Sequence, residues 1–165
     1  MSKPLDDAIR RGLDQKDASA RQQQSAEAQK SHLWERIKQS VEQGCDRING
    51  DNASQNLAGG KLIYEPSDGT YLSNSDFQVK NEVIPGRRLR VSHCDKFLSV
   101  VLTTRFLERG EDREEELSAE ELHFRTDEDG HVFVSRFDQK LSDKNGRLYT
   151  ADVIATYMLE KFWSK

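Results

Sequence analysis

Cysteine is scarce in this chain of 165 residues: Cys45 and Cys94 are the only two. They stand 49 positions apart and cannot supply the disulfide framework of a small secreted domain, so both are expected to be reduced thiols. The N-terminus Met-Ser-Lys-Pro-Leu-Asp-Asp is charged and lacks an apolar stretch, so no secretory signal is expected and the chain reads as cytoplasmic. No apolar run approaches the roughly 18 residues of a membrane span. Apolar residues are sparse throughout, at 35%. Ordinary domains reach roughly 45–50% with glycine counted, and the ten glycines here do not close that gap.

The deficit is local. Residues 14–32, DQKDASARQQQSAEAQKSH, hold only four apolar residues, all alanine. Good helix formers dominate that stretch, yet it has no apolar face to bury, so it reads as a polar tether with partial helicity. Leu5, Ile9 and Leu13 precede it at four-residue steps, on one face of a short amphipathic helix. Such a helix is marginal alone and must dock on its own domain or on a partner. The division expected is an arm over residues 1–32 and a single domain over residues 33–165.

From Leu33 the pattern changes. Trp34, Ile37, Val41, Cys45 and Ile48 recur at steps of three and four, with Ser31 placed to cap the start and Gly50 near the end. A loop from Asn52 to Gly60 leads into strand-like runs: Lys61 to Glu65, then Tyr71-Leu72, then Phe77 to Val83. Pro85-Gly86 fits the centre of a type II turn. Leu89, Val91 and His93 alternate along the following run, and Phe97 to Leu107 is the strongest strand, expected at the centre. Asp127-Glu128-Asp129-Gly130 closes a hairpin with Leu122, Phe124, Phe133 and Phe137 inward and His123, Arg125, Val132, Val134 and Arg136 outward. A turn over Ser142 to Gly146 precedes a last helix, capped by Thr150 and carrying Ile154, Tyr157, Met158 and Phe162. Short connections imply antiparallel pairing. The fold class is therefore α+β: a curved antiparallel meander of about five to seven strands, with the N- and C-terminal helices on one face.

Net charge is −4, from 25 Lys and Arg against 29 Asp and Glu. The segment Glu108 to Glu116, with six acids against Arg109 and Arg113, carries −4 by itself and reads as a solvated loop. The one basic cluster, Arg87, Arg88 and Arg90, resembles an anion patch, but the sequence pI of 5.6 makes nucleic acid an unlikely partner. None of the four histidines forms a His-x-x-x-His pair, and no zinc ligand set is recognisable, so neither metal nor cofactor is expected. The chain lacks Gly-x-Ser-x-Gly, a phosphate loop and Gly-x-Gly-x-x-Gly. An acidic segment followed by a terminal amphipathic helix resembles secretion chaperones, but the middle of the chain lacks the helix they require, and no residue role is carried across.

Three functions from different classes follow. The leading one is a non-enzymatic interaction module (adaptor, chaperone-like or regulatory) anchored by Leu5, Ile9 and Leu13 to another protein or to a second copy. The second is a small-ligand domain with a pocket between sheet and helix, using Tyr64, Tyr71, His93 and Arg105. The third is a hydrolase in which His93 or His123 meets a carboxylate.

Overall fold

The computed structural model describes residues 3–66, 76–136 and 146–163, without the side chains of residues 3 and 18–24. The expected strand at Tyr71-Leu72, the inward Phe137 and most of the turn before the last helix lie outside the described residues.

One helix, α1, runs unbroken from Lys3 to Asn49. Two helices joined by a tether were expected, with Ser31 as a cap; Ser31 is instead mid-helix. The reason is cooperativity: the docked C-terminal half supplies the nucleus, and propagation through Ala, Gln, Arg, Glu and Lys then costs little. The expected loop after Gly50 contains a second short helix, α2 (Asn52–Leu57). Asp51 caps it, with its Oδ2 accepting from Ser54 N at 3.2 Å. It buries no residue, so no apolar periodicity announces it.

Seven strands follow: β1 (Leu62–Pro66), β2 (Phe77–Asn81), β3 (Gly86–His93), β4 (Phe97–Glu108), β5 (Glu111–Thr126), β6 (Val132–Arg136) and β7 (Arg147–Leu148). They form one antiparallel sheet in sequence order, with β4 at its centre. Helix α3 (Ala151–Leu159) closes the chain, and its cap is Thr150, whose Oγ1 accepts from Val153 N at 3.3 Å. Both long helices cover the same face, and one core cluster joins Ile37, Val41 and Cys45 of α1, Leu89, Leu98 and Leu122 of the sheet, and Ile154 and Met158 of α3. The α+β architecture is thus as expected.

Three local expectations are corrected. The acidic run is not a loop: Arg109 and Gly110 both take positive φ, 54° and 81°, and make a two-residue turn between β4 and β5. Glu108 ends β4 and the other acids fall on the start of β5, where alternation with water on both faces leaves no apolar period to detect. A register shift between Leu102 and Thr103 sets an extra residue, Leu117, into β5.

The second correction concerns β6. Thr126 pairs with Val132 and Phe124 with Val134, so Val132 and Val134 face the core and Phe133 the opposite side. This is one residue off the expected register, and a one-residue slip turns every side chain over. The loop that sets it spans five residues. Asp127 N donates to His131 O at 3.0 Å, and Asp127 Oδ1 accepts from Asp129 N at 3.0 Å and His131 N at 2.9 Å. Phe133 is nonetheless buried, because Tyr149 (rings 5.0 Å apart) and the Arg147 guanidinium cover it on the outer face.

The third is the turn at Pro85-Gly86. Gly86 is not among the positive-φ glycines, so it does not occupy the second central position of a type II turn. It is required by crowding instead. A Cβ there would lie 2.6 Å from Asn81 Cβ and 2.8 Å from the Val83 carbonyl oxygen. Asn81 is itself buried and accepts from Arg87 N at 2.7 Å while donating to Ala58 O at 2.9 Å. Gly86→Ala is therefore expected to lower unfolding free energy by about 1–3 kcal/mol, as overpacking does. Urea denaturation of the variant beside wild type measures this, and an unchanged midpoint would refute the crowding account.

Candidate functional site

The arm begins where α1 leaves the domain. Ala26 packs on the core, Gln29 Nε2 donates to Gly130 O at 3.2 Å, and Gln29 Oε1 accepts from Val132 N at 3.1 Å. Lys30 Nζ donates to Asp95 O at 3.1 Å. These contacts pin α1 to the β5–β6 and β3–β4 turns. Upstream, residues 4–17 are all exposed. Leu5, Ile9 and Leu13 retain 60%, 53% and 58% of their accessible surface, an exposed apolar face on a projecting helix.

Three of the proposed ligand residues, Tyr64, His93 and Arg105, are described. Tyr64 packs on Phe77 with ring centroids 5.4 Å apart, and burial, with Glu42 nearby, pushes its hydroxyl up to about 12. His93 lies between Trp34 (5.2 Å) and Phe124 (5.6 Å), closing an aromatic row of Tyr64, Phe77, Trp34, His93 and Phe124. Arg105 donates from Nη1 to Asn81 O at 2.7 Å. Tyr71 lies outside the described residues.

The basic cluster is also dispersed by strand alternation. Arg87 donates to Lys161 O at 2.5 Å, capping the end of the C-terminal helical segment. Arg88 turns to the other face and meets Glu114 at 3.0 Å, and Arg90 is exposed there.

Two of the four histidines approach carboxylates. His123 Nε2 lies 3.0 Å from Glu121 Oε2, two residues along β5 on the outer face, beside a shallow hollow of about 430 Å³. Among the described residues no hydroxyl or thiol is hydrogen-bonded to this histidine. His131, Asp127 and Asp129 bring possible ligand atoms within 4.8 Å of one another, a grouping that sequence spacing did not suggest. The Asp127 carboxylate there is already engaged by the backbone N–H groups of His131 and Asp129, which hold its pKa low. Cys45 is buried, and desolvation raises its thiol to about 12, which keeps it protonated and inert.

Sequence reading missed two features. Glu120 faces the helices and accepts from Tyr157 Oη at 2.7 Å while pairing with Lys161 Nζ at 2.7 Å. Beside Tyr157, α3 and β7 shape a shallow groove of about 340 Å³, lined by Leu148, Asp152, Val153, Thr156, Tyr157 and Glu160. Val153 is 48% exposed and lines it. The signal available in sequence was that Asp152, Thr156 and Glu160 recur at four-residue steps as a polar face, with Val153 set among them.

No family model, curated protein or solved structure matches this chain.

Burial lowers the His93 pKa below its ordinary 6.5, with Lys30 acting in the same direction. The unfolded chain therefore takes up this proton at higher pH than the folded one, so His93 withdraws stability as pH falls below about 6.5. His93→Gln is expected to flatten the fall in unfolding free energy between neutral and mildly acidic pH. Urea titrations of both proteins at the two pH values measure the slope, and an identical slope would contradict this assignment.

Proposed function

We propose that this chain is a non-enzymatic cytoplasmic protein-interaction module, with the N-terminal arm as its docking element and the sheet-plus-helix domain as its scaffold. One observation carries the reading: three large aliphatic side chains stand exposed on one face of a helix that leaves the domain. Leu5 lies about 31 Å from Ala26 along the axis, at 1.5 Å per residue. Full burial of each such side chain is worth roughly 1.5–3 kcal/mol, so their exposure leaves binding free energy in reserve. Anchors at i, i+4 and i+8 are what a helix presents to an apolar groove.

The accompanying chemistry supports the same reading. Tyr64, His93 and Arg105 each make contacts within the fold. The two cysteines are free, in keeping with a reducing compartment. No helix is long and apolar enough to cross a membrane among the described residues.

Replacing Leu5, Ile9 and Leu13 together by Asp in the full chain should leave the denaturation midpoint within experimental error, because these side chains make no core contact. Recovery of the bound protein from a native-host extract should fall about tenfold or more, the equivalent of 1.4 kcal/mol. Recovery unaffected by the triple substitution would overturn the reading.

A further inference from the structure

We propose that the arm pairs with the arm of a second copy of this chain, as two antiparallel helices crossing at Ile9. This rests on the proposed role of the arm and names its partner. Leu5 and Leu13 lie within about 40° of Ile9 around α1, and all three are exposed. Ile9 is at the middle of the stripe. A two-fold axis beside it sets each Ile9 against the other and each Leu5 against the second copy's Leu13.

The two sides of the stripe carry different chemistry. At about 100° per residue, Asp6 and Arg10 flank it on one side, and Ala8 and Gly12 on the other. All four are exposed. A two-fold axis across antiparallel helices brings like sides together. On the charged side, Arg10 then comes within about 3 Å along the axis of the second copy's Asp6, and symmetry makes this contact twice. On the other side only small groups meet, so the helices can approach closely. A Cβ at Gly12 would meet nothing of its own chain within 4 Å. Parallel pairing in register would instead set the charged side of each helix on the small side of the other and leave these opposite charges unmatched.

The remaining charges of the arm do not oppose this pairing. Asp7, Arg11 and Asp14 fall on the outer side of the helix, where Arg11 Nε donates to the Asp7 carbonyl oxygen at 3.4 Å. Lys16 lies near the line of the stripe and Asp17 on the charged side. Both stand level with the second copy's first two residues, and their charges cancel. The length fits as well. The second copy's first residue comes level with Asp17, about 14 Å short of Ala26, where α1 meets the domain. Residues 18–25 carry no apolar residue larger than alanine, so the apolar stripe ends within the overlap. The two domains stand clear at opposite ends, with their Ala26 residues about 51 Å apart along the axis.

Sedimentation velocity over a micromolar concentration series of the full chain should show a dimer, and Ile9→Asp should weaken it about tenfold or more. Asp6→Arg and Arg10→Asp should each weaken it too, because each sets like charges together. An equimolar mixture of these two variants, one of them tagged, should recover mixed dimers, with circular dichroism verifying that both keep the wild-type helix content. Cross-linking reads the direction of pairing without placing a charge in the arm. Under mild oxidation, Leu5→Cys should link to Leu13→Cys in a mixture and not to itself. A self-linked Leu5→Cys, or a charge-variant mixture without mixed dimers, would overturn the proposal. A wild-type chain that stays monomeric would overturn it as well. Host-protein capture abolished by the triple arm substitution would in that case still uphold the arm as a docking element for a different partner.

Discussion

Burial of one stripe of α1 holds the rest of the molecule in place. Trp34, Ile37, Val41, Cys45 and Ile48 are each less than a tenth exposed, and they fill the space between the concave face of the sheet and α3. Gly44 marks how near the two helices come, since a Cβ there would lie 2.5 Å from Leu159 Cδ1. Trp34 extends this packing toward the strands by stacking on Phe77 and leaning on His93. A two-stranded hairpin or a short helix has little stability alone; here α1, the core-facing strands and α3 share one buried cluster.

The same burial explains the arm. A helix nucleated over residues 26–48 extends N-terminally at small cost through residues chosen for helix propensity. The result is a semi-rigid projection rather than a flexible tether, which sets how far Leu5, Ile9 and Leu13 stand from the domain. Rigidity also removes intramolecular options, because a straight helix cannot return its tip to its own base. The polar composition that makes the chain look like a weak folder is what keeps this projection in water.

On the sheet, parity decides which side chains can act together. Arg87, Arg88 and Arg90 are close in sequence, yet they are divided between two faces: Arg87 meets Lys161 O, Arg88 meets Glu114 and Arg90 is exposed. Glu120 lies in a run of acids, but its position on the core-facing side brings it to Tyr157 and Lys161. The outer-facing Glu121 instead meets His123. Sequence proximity alone predicts neither outcome.

Periodicity by itself determined the core-facing helices, because 3.6-residue spacing follows directly from backbone geometry, while short connections gave the antiparallel order and β-branched and aromatic content the central place of β4. It also contained the arm's apolar face at Leu5, Ile9 and Leu13. Over an ideal helix that face lies within about 40° of the core stripe, a phase agreement that signals one continuous α1. Tertiary structure alone decided the rest. The five-residue loop at Asp127 to His131 set the parity of β6, and the docking of α1 turned residues 14–32 into helix. The packing of α3 left Val153 outside and shaped the groove beside it. Each of these depends on contacts between residues far apart in the chain, and local spacing holds no information about such contacts.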